Sequence, residues 1–130
     1  MSKDAAFSLA MNSKLICPPT EPPRFSIRFD AIQRPARTVA FLDARVNTLE
    51  PKEVPERRLG FGQPDSWLGQ PGAYASRFAP RHGTGGNLAF CDGHAAWRPG
   101  TQVVETNFGR AIFPGGEILW CADPARDPNE

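Results

Sequence analysis

Residues 81–97 read RHGTGGNLAFCDGHAAW, and this stretch decides the fold. Within it, NLAFC (87–91) and HAAWR (94–98) are short strand patterns on either side of Asp92-Gly93. That dipeptide is the strongest two-residue hairpin signal, because a type I′ turn needs a left-handed backbone at both central positions, which Asp tolerates and Gly favours. A two-residue turn sets Leu88 opposite Trp97 and Phe90 opposite Ala95 on one face. On the other face it sets Cys91 opposite His94 and Asn87 opposite Arg98. The expectation is a hairpin with Leu88, Phe90 and Trp97 in the core and a polar reverse side.

Downstream, RAIF (110–113) and EILWC (117–121) flank Pro114-Gly115-Gly116 and predict a second hairpin, followed by a frayed tail over 123–130. Upstream, TVAFLDARV (38–46) is a short, β-branched apolar run that predicts a buried central strand, and Arg34-Pro35 stops whatever precedes it. Phe25, Ile27 and Phe29 alternate like a strand, while 17–24 holds four prolines in eight residues and favours extended chain. Residues 5–16 (AAFSLAMNSKLI) fit neither period. Across 47–80, prolines and glycines interrupt every apolar pattern. This predicts a long variable loop anchored by Trp67, Leu68 and Tyr74, with Trp67 and Tyr74 as candidate partner contacts.

The chain of 130 residues is long enough for one domain, 1–130, and fourteen prolines with twelve glycines imply many turns. Fifteen basic against fourteen acidic side chains leave no field that would hold nucleic acid or an anionic membrane. Cys17, Cys91 and Cys121 allow one disulfide at most and form no Cys-x-x-Cys pair. No stretch is apolar enough to span a bilayer, and the N-terminus has no signal-peptide pattern, so the chain as given reads as soluble.

Three blocks, SLAMNSKL (8–15), AIQRPARTVAFLDAR (31–45) and RHGTGGNLAFCDGHAAW (81–97), occur in an order that resembles type II secretion pseudopilin-like proteins of the prepilin-type His-x9-Asp-Gly family. The motif residues are His82, Asp92 and Gly93, with Asn87 and His94 beside them. The resemblance implies an α+β, mainly antiparallel β, pilin-like globular head with C-terminal β-hairpins and a long irregular loop. It implies a non-catalytic structural or interaction subunit at the periplasmic face of the inner membrane, with other pseudopilin or secretion-apparatus subunits and protein cargo as partners. The family's leader and long apolar helix have no counterpart in 1–130. The expectation is therefore a head separated from its helix rather than a shortened gene product or a truncated relative with no assembly role.

Side-chain chemistry supplies a competing class. His82, Asp92 and His94, with Asp43 able to join, are types that bind a divalent cation such as calcium or zinc, and a metal-dependent hydrolase is its catalytic form. The structural reading is preferred, with no cofactor expected: Asp92 serves the turn and His82 ties the glycine-rich 83–86 segment back over it. Cys91 with His94 and Asp92 superficially resembles a nucleophile, base and orienter, but no oxyanion site accompanies them. GTGG (83–86) precedes a strand, not a helix, and so reads as a flexible entry to the hairpin, not a phosphate cradle. Trp97 and Trp120 read as packing residues.

Overall fold

The computed structural model describes residues 9–15, 28–45, 78–107 and 110–129. The expectations for 17–24, Cys17, Phe25, Ile27, Trp67, Leu68 and Tyr74 lie outside the described residues, as does most of 47–80. The strands are β1 (Leu9–Met11), β2 (Val39–Asp43), β3 (Gly85–Phe90), β4 (Ala95–Pro99), β5 (Glu105–Asn107) and β6 (Arg110–Ile112). A short helix, α1 (Gly100–Val103), and 3-10 turns at Ser13–Leu15 and Phe29–Ala31 are the helical elements among the described residues. The sheet runs β1-β2-β3-β4 with every pair antiparallel, and β5-β6 form a separate ribbon. Among the described residues the architecture is mainly antiparallel β with little helix. No helix among the described residues is long and apolar enough to cross a membrane.

The expected central strand is β2, between β1 and β3. Its pairing with β3 slips between Val39 and Phe41, so that Ala40 is an extra residue. The slip reverses the side-chain alternation. Val39 and Leu42, three apart, therefore both point into the core and are fully buried. Around them pack Phe78, Leu88, Phe90 and Trp120, and the Trp120 ring stacks on Phe113 at 3.9 Å between centroids.

Asn12 fastens the first strand to the last segment. It is fully buried, and its amide donates to the carbonyls of Val39 (2.7 Å) and Trp120 (2.8 Å) while its Oδ1 accepts from Lys14 N (3.0 Å). The ambiguous segment 5–16 thus contains a three-residue strand followed by a turn that this side chain caps.

The hairpin is present, but its register differs from the expectation. Asn87 pairs with Trp97, Leu88 with Ala96 and Ala89 with Ala95. Phe90 N donates to His94 O (2.8 Å) and Gly93 N to Phe90 O (2.9 Å), so the loop has three residues, Cys91, Asp92 and Gly93. Gly93 takes the positive φ of +96°. In a three-residue loop only one position must be left-handed, and glycine fills it without the strain that Asp would meet in a type I′ turn. A slip of one residue moves every β4 side chain to the other face. Trp97, expected in the core, is consequently 44% exposed on the outer face, whereas Cys91 is buried.

Other expectations are also corrected. RAIF does not pair with EILWC: β6 turns back onto β5, and Leu119 instead bridges Thr38 in parallel. The 3-10 turn at Phe29–Ala31 replaces the strand expected there, with Phe29 exposed. The end of the long loop, 78–80, is buried. The tail is pinned rather than frayed, because Asn129 exchanges hydrogen bonds with Phe113 through its amide (2.8 Å to O, 2.9 Å from N). Cys91 and Cys121 are free and buried. Cys91 N bonds Thr38 O on the β3 side of β2, while Val39 N bonds Leu119 O on the opposite side.

The Gly85-Gly86 pair is a packing requirement, not a flexible entry. A Cβ at Gly85 would lie 2.2 Å from the Arg98 carbonyl oxygen and 2.6 Å from the Trp97 ring, and one at Gly86 would lie 2.8 Å from the Ala79 carbonyl oxygen. Gly85→Ala and Gly86→Ala are each expected to cost about 1–3 kcal/mol in urea denaturation. Gly115→Ala, which meets nothing within 4 Å, should change little, and equal effects at all three positions would refute the packing account. Asn12→Ala should cost about 1–3 kcal/mol by stranding two buried carbonyls. Asn12→Asp, nearly isosteric but without donors, should cost more than Ala; a milder effect would mean that shape rather than donation matters.

Candidate functional site

The sequence places a carboxylate at the end of β2, and the fold buries it: the Asp43 side chain is only 8% exposed. Its Oδ1 accepts from Arg81 Nη1 (3.2 Å), and its Oδ2 accepts from the backbone N–H of Asn87 (2.8 Å) and lies 3.4 Å from His82 Nε2. Arg81 also donates to the Ala44 carbonyl, and Ala79 N donates to the Asp43 carbonyl (3.0 Å). A buried carboxylate is stable only when its lone pairs are occupied, and here two cationic-type side chains and an amide occupy them.

The chain entering β3 has the shape needed to supply these donors. His82 N bonds Gly85 O (3.1 Å) across a tight turn in which Gly83 has φ +75°. Trp97 Nε1 donates to His82 O (2.9 Å), and Gly100 N donates to Thr84 O (3.0 Å), so β4 and α1 hold the same turn from the other side. His82 itself is 50% exposed, with one ring nitrogen on the buried carboxylate.

His82, Asp92 and His94 are not brought together. His82 sits where β3 begins, while Asp92 and His94 lie beyond its far end, and six strand residues span roughly 17–20 Å. His82 therefore latches onto Asp43 and not onto the Asp92-Gly93 turn. At that turn the His94 Nδ1–H donates to Asp92 Oδ1 (2.5 Å), the His94 backbone N–H donates to the same atom (3.1 Å), and the imidazole stacks on Phe90 at 4.5 Å. The backbone bond, then the imidazole bond, hold the Asp92 carboxyl below its ordinary range. A carboxyl so held favours the fold above its unfolded value, and that contribution is lost as pH falls through the folded value.

Asn87 serves through its backbone N–H rather than its amide. Cys91 packs with Leu15 and Ile32, and burial, reinforced by the neighbouring Asp92 charge, pushes its thiol up, the opposite of the shift that activates a nucleophile. Among the described residues, no three His, Cys, Asp or Glu side chains gather as a metal-ligand group. Asp43 and His82 offer two donors, and a cation binding there would have to displace the Arg81 guanidinium from the shared carboxylate.

Two contributors escaped the sequence reading. Arg81 was visible only as the neighbour of His82 in the Arg-His pair, and Asn12 only as part of the Met-Asn pair. Nothing local marks either as buried or partnered.

Asp43→Asn places an NH2 or a weaker acceptor against three donors, so it should cost about 2–3 kcal/mol in urea denaturation. His82→Ala, at a half-exposed pair, should cost no more than about 1 kcal/mol. The reverse ranking would show that the imidazole, not the carboxylate, organises the clasp.

Compared with protein-family models, with curated proteins and with solved structures, the chain matches none.

Proposed function

We propose that the chain is a non-catalytic structural and interaction subunit, the pilin-like head of a pseudopilin-like protein of the His-x9-Asp-Gly type. It would act with other secretion-apparatus subunits, and with protein cargo, at the periplasmic face of the inner membrane. One observation carries the non-catalytic part. Five groups in the three blocks on which the resemblance rests, namely the side chains of Asn12, Asp43, Arg81 and His82 and the backbone N–H of Asn87, contact one another or backbone within the fold. The motif then acts as a fold clasp, and the family resemblance supplies the cellular role.

The exposed apolar side chains are consistent with this reading. Leu9, Phe41 and Trp97 are all about half exposed. The register puts them on one face of the sheet: Met11 pairs with Phe41, Phe41 with Ala89, and Asn87 with Trp97. Exposed apolar groups gathered on one face are common on surfaces that meet other proteins.

The half-exposed His82 on a buried carboxylate favours a second reading, a divalent-metal site built from His82 and Asp43. Thermal unfolding with added calcium or zinc separates the two, since an ion bound only by the folded state raises the midpoint in proportion to the logarithm of its concentration. The clasp reading expects no rise with either ion and a lower midpoint for His82→Ala in metal-free buffer. A saturable rise that His82→Ala abolishes would replace it with the metal reading.

A further inference from the structure

We infer that the Asp92-Gly93 peptide is a site of spontaneous aspartate rearrangement, and that His94 restrains the reaction through its two bonds to the Asp92 carboxylate. Asp92 and Gly93 lie exposed at the hairpin tip, and no side chain at Gly93 shields its nitrogen. In the reaction, the Gly93 nitrogen attacks Cγ of the protonated Asp92 carboxyl. The N–Cγ bond forms, and the amide proton and the carboxyl hydroxyl leave as water. One water then opens the succinimide at either carbonyl, regenerating aspartate or giving isoaspartate with no net change in mass.

The folded turn opposes each requirement. Gly93 N–H is engaged by Phe90 O at 2.9 Å. Asp92 Oδ1 is held by both the backbone N–H and Nδ1–H of His94, which fix the carboxylate's orientation and favour its ionised form. His94 is the ionisable group acting on the Asp92 carboxylate through hydrogen bonds. The segment packed on the turn presents a backbone carbonyl, that of Pro35, to Asp92 N (3.2 Å), and the adjacent Cys91 thiol is buried. Rearrangement would add one main-chain carbon at the turn whose length sets the β3–β4 register and places Trp97 over Gly85. His94 is thus a positioning residue that slows a change able to alter the hairpin's register.

The test is isoaspartate formation in the tip peptide, read by peptide mapping with fragmentation that distinguishes the isomers, after incubation in mildly acidic buffer. The folded chain should form it at least about tenfold more slowly than the same chain in urea. His94→Phe keeps an aromatic ring against Phe90 but lacks Nδ1, and it should react several-fold faster than the parent while retaining the sheet's circular dichroism. A folded parent as fast as the denatured chain, or a folded His94→Phe no faster than the parent, overturns the inference. If His94→Phe unfolds, the pH profile of the parent decides. The folded profile should be displaced to lower pH than the denatured one, and coincident profiles overturn the inference.

Discussion

A carboxylate taken out of water costs several kcal/mol unless partners replace its hydration, so a fold that buries one must bring those partners to it. Asp43 imposes that condition here. It ends the central strand, and its bonds to Arg81 and to the Asn87 backbone N–H, with His82 alongside, fix where the chain enters β3. The start of β3 is thus positioned by charge, next to the buried apolar side chains of Leu88 and Phe90. Because Trp97 and Gly100 hold the same turn from the β4 side, the clasp couples three strands at one end of the sheet.

At the other end of β2 the equivalent role falls to a neutral side chain. Asn12 reaches the carbonyls of Val39 and Trp120, which joins the N-terminal strand and the C-terminal segment across the sheet. Between these two polar anchors the core is apolar and the glycine pair lets neighbours approach closely: Trp97 crosses Gly85 on one face and Phe78 meets Gly86 on the other. Buried polar groups and close approaches thus concentrate in 8–15, 31–45 and 81–97.

The hairpin shows how one residue of loop length alters a surface. With a two-residue turn Trp97 would have joined the core; with three, it lies outside beside Asn87, on the same face as Phe41 and Leu9. Gly93, at φ +96°, closes the three-residue loop, and the register that this loop sets adds Trp97 to the outer face.

By itself the sequence determined the existence of the hairpin, the central strand within 38–46 and, from the near-equal counts of basic and acidic side chains, the absence of a strong charge field. The first two follow from alternation, β-branched content and turn chemistry, all of which act over a few residues. Tertiary structure alone decided the β3–β4 register, the pairing of 110–112 with β5 instead of 117–121, the pinning of the tail by Asn129 and the separation of His82 from Asp92 and His94. The physical reason is common to these cases. Turn geometry leaves two registers close in energy, and contacts between residues distant in the chain, such as Asp43 with Arg81 or Trp97 with Gly85, select one of them.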